Sequence, residues 1–137
     1  MVIEGPKGLV AAAEFYAKLL GIENIDFTLT IKRGKLGANA LGLCSYSPEN
    51  DEYEVELERR WYDGNPDIYE LLAHEMVHIK QYVTGEMEDR YTNDGQDVDT
   101  YWQGEIYPDT NYLDAPWEIE AYGKQVGMHF RWCNKGE

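Results

Sequence analysis

The stretch that decides the reading of this chain is His74-Glu75-Met76-Val77-His78, inside the longer run from Pro66 to Gly85. Asn65 supplies a capping side chain, Pro66 suits the first helical position, Asp67 favours the positive end of the helix dipole, and Gly85 stops the run. On such a helix, residues four apart stand one turn from each other on one face, so both imidazoles reach a single metal ion. Glu75 then stands beside the open coordination position of that ion. At about 100° per residue, Ile68, Leu72, Met76, Ile79 and Val83 fall on one apolar stripe. Leu71, His74, Glu75, His78 and Tyr82 form a second arc beside it, about 100° wide. The pattern predicts a helix that packs on a sheet through one stripe and lines a cleft with the other.

Working outward, Pro6 to Leu20 reads as a first helix, with Leu9, Ala12, Ala13, Tyr16, Leu19 and Leu20 at helical spacing and Gly21 as its stop. Ile25 to Ile31 alternates with period two, as a half-buried strand does. A turn region with Gly34 and Gly37 follows, then a strand from Leu41 to Tyr46 and turn chemistry from Ser47 to Asp51. Tyr53 to Glu58 alternates again, apolar inward and acid outward. Strands joined by short turns predict a small meander with one covered face. Glu86 to Ala115 is polar and tyrosine-rich, with short strands expected at Thr100 to Gln103 and Glu105 to Tyr107 around Gly104; connections this long often form lids or walls. Pro116 opens a last helix running to about Cys133. The expected fold class is α+β, with a small, mainly antiparallel sheet packed against an N-terminal helix, the His74–His78 helix and a C-terminal helix. Residues 1–137 read as one domain.

Composition narrows the partners. The chain has 26 acidic and 12 basic residues and a net charge of −14, a surface that repels phosphate backbones, so no nucleic-acid partner is expected. Nine acidic residues lie between Gln81 and Ala115 against the single basic residue Arg90. That local field is either a solvated loop face or an attraction for basic peptides. No stretch has the apolar length to cross a bilayer, and the N-terminus, with Glu4 and Lys7 before Leu9 to Ala13, lacks the layout of a secretory signal. A cytoplasmic monomer with no membrane partner is expected. Cys44 and Cys133 are far apart and fit no metal-ligand spacing, so free buried thiols are expected. Asp94, Asp97 and Asp99 miss the spacing of a calcium loop and read as a solvated turn.

A catalytic zinc commonly takes three protein ligands and leaves a fourth position for water. His74 and His78 supply two. Gln81 and Thr84 stand where a metzincin needs glycine and histidine, which excludes that class. Glu118, Glu120 and His129 are the candidates for the third. Glu118 and His129 share a helix face but lie about 16 Å apart along the axis, so only one of them can reach the ion. Glu120 shares a face with Lys124, which suits an ion pair.

His74-Glu75-Met76-Val77-His78, taken with Glu118-Ile119-Glu120-Ala121, resembles the gluzincins, zinc peptidases whose third ligand is a glutamate on a later helix, often three residues before a small side chain. In its shortness the chain is similar to their minimal single-domain forms, the minigluzincins. The resemblance covers residues 66–84 and 116–127 and implies a zincin-like fold. It also implies Zn²⁺ held by His74, His78 and Glu118, Glu75 as general base, and a peptide or protein substrate. Many gluzincins carry Asp or Asn one residue beyond that small side chain to brace a zinc histidine; this chain has Tyr122. Tyr82, Tyr101 and Tyr112 are candidates to hydrogen-bond an oxyanion. A substrate would lie extended along a sheet edge, with Glu54, Glu56 and Glu58 favouring basic side chains. The alternative is a catalytically silent or latent zincin-fold domain that binds metal for interaction or regulation. Glu75 favours the enzyme, since a purely structural metal site needs no general base.

Overall fold

The computed structural model describes residues 1–36, 40–59, 66–107 and 111–136. The chain begins with a short strand, β1 (Val2–Glu4), and a helix, α1 (Lys7–Leu19), which buries Leu9, Ala12, Ala13, Tyr16 and Ala17. Three strands follow: β2 (Thr28–Gly34), β3 (Gly42–Ser47) and β4 (Glu52–Glu58). The metal-motif helix is α2 (Ile68–Val83). A second sheet is built from β5 (Met87–Tyr91), β6 (Val98–Trp102) and β7 (Glu105–Tyr107). A 3₁₀ turn at Tyr112–Asp114 leads into α3 (Pro116–Cys133). The class is α+β, as the pattern predicts.

The first sheet is not a meander. Its strand order is β1-β2-β4-β3, so β4 inserts between the two strands that precede it. β1 runs parallel to β2 and β2 parallel to β4; only β3 is antiparallel to its neighbour, with Cys44 opposite Val55. The expectation of a mainly antiparallel sheet therefore fails for this sheet and describes only β5-β6-β7. Period-two patterning fixes which face of a strand is buried and says nothing about its neighbours. Burial explains the order. Leu29 and Ile31 of β2 and Val55 and Leu57 of β4 are all but inaccessible, so these two strands take the centre, while β3, with Leu43 and Tyr46 exposed, takes the edge.

α2 contacts α1, α3, β3 and β4 and so occupies the middle of the molecule. Leu72, Met76 and Ile79 from its apolar stripe are fully buried, together with Ala73 and Val77. Each large apolar side chain so buried contributes roughly 1.5–3 kcal/mol. Tyr16 of α1 is buried with them, its hydroxyl donating to the Tyr69 carbonyl at 2.9 Å. The helix begins later than expected. Asn65 lies outside the described residues, and the cap is Asp67, whose carboxylate accepts from the Tyr69 amide at 2.8 Å. At the other end the chain turns away through Gly85 at φ +79°, a conformation that favours glycine. Of the segment from Glu86 to Ala115, β6 and β7 fall close to the expected strands, whereas β5, reading Met-Glu-Asp-Arg-Tyr, carries no alternation to reveal it. Among the described residues, no helix is long and apolar enough to cross a membrane.

Candidate metal centre

The site forms where the second arc of α2 meets the first turn of α3. Four-residue spacing stacks His74 and His78 on one face, with ring centroids 5.0 Å apart and planes at 77°. Pro116 starts α3 and places Glu118 in its first turn, while Ala121, fully buried one turn further on, lets α3 approach α2 closely. The carboxylate of Glu118 thereby spans both imidazoles: Oε1 lies 3.0 Å from His74 Nε2 and Oε2 lies 3.2 Å from His78 Nε2. Each of the three side chains can offer an atom within 4.8 Å of the other two, and all three are buried.

The outward nitrogens are held as a metal site requires. His78 Nδ1 lies 2.8 Å from Gln81 Oε1, and His74 Nδ1 lies 2.7 Å from Gln125 Oε1. The orientation of Gln81 is fixed chemically, because its Nε2 donates to the Trp117 carbonyl and to Glu120 Oε1, both at 2.9 Å and both acceptors only. Its oxygen must therefore accept from His78 Nδ1–H, which turns Nε2 toward Glu118, to hold either a proton or a metal ion. Gln125 Oε1 faces His74 Nδ1 in the corresponding position. Two imidazole nitrogens and a carboxylate converge on one point, where a proton on Nε2 bridges ring and carboxylate and a divalent cation could take its place. Two nitrogens and one carboxylate are donors that zinc and other divalent transition ions accept, so the residues fit a metal ion.

Protonation follows from burial and neighbours. Burial works to raise the pKa of Glu118, but the hydrogen bonds to His74 and His78 prevail and hold it down at about 2. Burial disfavours a charged His78; Glu118 and Glu75 outweigh it and raise its pKa. Glu75 is pushed up by burial, against the pull of His78 and His74. It is thus a carboxylate with enhanced proton affinity at a cleft, which suits a general base. Its place depends on Gly42 of β3. A β-carbon there would stand 2.7 Å from Glu75 Oε1 and 3.1 Å from its Cδ and Cγ.

A cleft of about 330 Å³ opens over these groups, lined by Gly42 and Cys44 from β3, Glu75, His78 and Glu118, and Asp89 and Thr100 from the second sheet. The second sheet and the 3₁₀ turn therefore form one wall of the site. Tyr112, in the 3₁₀ turn, also lines the cleft, and its hydroxyl helps to hold down the pKa of Glu118. Of the three tyrosine candidates it stands nearest the ligands. Tyr82 is committed to Asp89, 3.1 Å away, and Tyr101 lies under the guanidinium of Arg90 on the second sheet. Tyr122, where the gluzincin resemblance leads one to expect Asp or Asn, packs edge-on against His74 at 4.5 Å. The brace expected there comes from Gln125, one turn later.

The remaining candidates lie elsewhere. Glu120 faces away from the ligand cluster, bonding Lys80 at 2.8 Å and Lys124 at 2.9 Å besides Gln81. His129 sits at the start of α2, 3.6 Å from Asp67, with Cys133 Sγ 3.4 Å away. Asp94 closes the β5–β6 turn by accepting from Thr92 and from the Gln96 amide. Cys44 and Cys133 are both free thiols, and Cys133 is exposed rather than buried. The acids of β4 do not line the cleft: Glu54 and Glu56 pair with Lys32, and Glu58 is buried, accepting from the Leu36 amide at 2.6 Å. Sequence reading missed Gln81 and Gln125. Their signal is spacing, three residues after His78 and seven after Glu118, on the faces already assigned to the site. No family model, curated protein or solved structure matches the chain, so the reading of this site stands on its own residues and geometry.

Proposed function

We propose that this chain is a zinc-dependent peptidase of gluzincin type, hydrolysing peptide bonds in the cleft between β3, α2 and the second sheet. The observation that carries the reading is the convergence of His74, His78 and Glu118, with a second buried carboxylate, Glu75, beside them and outside the ligand set. His74, His78 and Glu118 would hold the ion, with Gln125 and Gln81 orienting the two rings. When bound there, Zn²⁺ supplies Lewis acidity, which polarises the scissile carbonyl and makes a water acidic at neutral pH. Glu75 takes the proton of the attacking water and delivers it to the leaving amine; its raised proton affinity suits both transfers. The Tyr112 hydroxyl donates to the oxygen on which negative charge develops. β3 is the edge of its sheet, so its outward amides and carbonyls are available to an extended peptide as an added strand.

The test is metal content combined with turnover. Purified protein is expected to hold about one zinc per chain and to cleave unstructured peptides, with cleavage abolished by chelation. Glu75→Gln is expected to retain the zinc and lose roughly 10²–10⁴-fold in rate. Equal hydrolysis by wild type and Glu75→Gln removes the proposal. If both forms hold zinc, bind a hydroxamate and cleave nothing, the latent metal-binding domain replaces it.

A further inference from the structure

Beyond the ligand cluster the cleft continues along β3 into a second cavity, of about 550 Å³, with a composition of its own. Its floor and sides are Cys44 and Tyr46 of β3, Tyr53 of β4, Tyr82 of α2 and Met87 of β5, and Asp89 stands at its rim. The three tyrosines form a connected wall, Tyr46 and Tyr53 with centroids 4.7 Å apart and Tyr53 and Tyr82 6.3 Å apart. Asp89 is steered by two hydroxyls, Tyr82 on Oδ2 and Thr100 on Oδ1, both at 3.1 Å. Among the described residues it forms no ion pair, whereas its neighbour Glu88 is engaged by Arg90 at 3.0 Å. Asp89, Cys44, Tyr82 and Met87 line both cavities, so the space is continuous with the metal centre.

We infer that this cavity is the specificity pocket of the proposed peptidase, taking a lysine or arginine side chain of the substrate with Asp89 as its carboxylate partner. The inference rests on the peptidase reading for its orientation along β3. It rests on the cavity itself for its chemistry. Aromatic faces attract a cation and pack well against the methylene stem that precedes it. An apolar side chain would fill the same space but strip water from Asp89 with nothing in return, and an acidic one would meet Asp89 and the chain's net charge of −14. Strand geometry sets the position. Gly42 lies against Glu75 and Tyr46 lies four residues on, with Cys44 between them on the same face. At roughly 3.3 Å per residue, a peptide paired with β3 therefore places its basic side chain about two to four residues from the bond over Glu75, on one side only.

Two measurements on the full chain test this. In the first, the zinc-loaded protein digests a mixture of unstructured peptides and the cleavage sites are read by mass spectrometry. Lysine and arginine are expected to be enriched at one position about two to four residues from the cut. Asp89→Asn is expected to lower kcat/KM about tenfold on those peptides and to erase their advantage over peptides with glutamine at that position. In the second, Glu75→Gln binds fluorescent peptides that differ only in carrying lysine, arginine, norleucine or glutamine at one site. The basic peptides are expected to bind about tenfold more tightly, with the advantage removed by Asp89→Asn in the Glu75→Gln background and weakened by salt. Cleavage without basic preference overturns the pocket assignment and leaves the peptidase standing. Basic preference in binding with no turnover in wild type supports the pocket and overturns the peptidase. Equal binding of all four peptides overturns the pocket whatever the turnover.

Discussion

Gly42 is where the sheet yields space to the chemistry. A β-carbon at this position would stand 2.7 Å from Glu75 Oε1, and the carboxyl carbon and the methylene before it are also too near to absorb the clash by a small rotation. Gly42→Ala is therefore expected to turn the Glu75 carboxylate out of the cleft. Peptide turnover should fall at least tenfold while zinc content, read by atomic emission, stays at wild-type level. Gln81 and Gln125 work at the same scale on the other side of the ligands. Each faces the Nδ1 of one histidine with its side-chain amide, so replacing either with leucine frees the ring to turn and leaves Nδ1 without its partner. Zinc affinity, measured by competition with a chromogenic chelator, is expected to fall about 10–100-fold for each. Asparagine, whose shorter side chain cannot reach, should not restore it.

The unit that matters at the next scale is the pair α2 and α3. Their alignment depends on Ala121, which leaves room for close approach, and on Glu120, which ties α3 to Lys80 and Gln81 of α2. Burial works to raise the pKa of Glu120; Lys80, Gln81 and Lys124 overcome it and hold the group at about 2, below its ordinary 4.5. A depressed carboxyl pKa stabilises the fold fully above the ordinary value, and the contribution is lost as pH falls through the folded value. The urea midpoint of metal-free wild type is therefore expected to exceed that of Glu120→Gln at pH 7, by about 1–2 kcal/mol in stability. The gap should close between pH 4.5 and about 2. Measuring both chains across that range checks the sign. Asp67 caps the start of α2, and Asp67→Ala is expected to cost about 1 kcal/mol in the same assay.

Taken whole, the molecule sets its candidate metal centre at the rim of an apolar core built from other residues. Leu29, Ile31, Val55, Leu57, Leu72, Met76 and Ile79 are buried regardless of what His74 and His78 hold. Chelation is accordingly expected to lower the melting temperature without unfolding the chain at 25 °C. With zinc present at about a thousand times its dissociation constant the stabilisation is roughly 4 kcal/mol, which for a chain of this size corresponds to a shift of about 10 °C or more. Far-ultraviolet circular dichroism before and after chelation should overlay at room temperature, and scanning calorimetry should resolve the shift.

The amino-acid sequence alone carries the three helices, three of the first sheet's four strand segments and the pairing of His74 with His78, because each is written in local periodicity and in short-range punctuation by proline and glycine; β1 is too short to show such a pattern. It narrowed the third ligand to Glu118, Glu120 or His129, and the resemblance to gluzincins favoured the first. Tertiary structure decided what depends on neighbours distant in the chain. It inserted β4 beside β2 and made β3 the free edge, since burial of both central strands outweighs chain order. It set Gln125 and Gln81 behind the histidines, turned Glu54 and Glu56 to Lys32, and brought Asp89 across from a strand with no readable pattern. A period in the sequence names the face a residue occupies; only the packing of that face against another element says which group it meets.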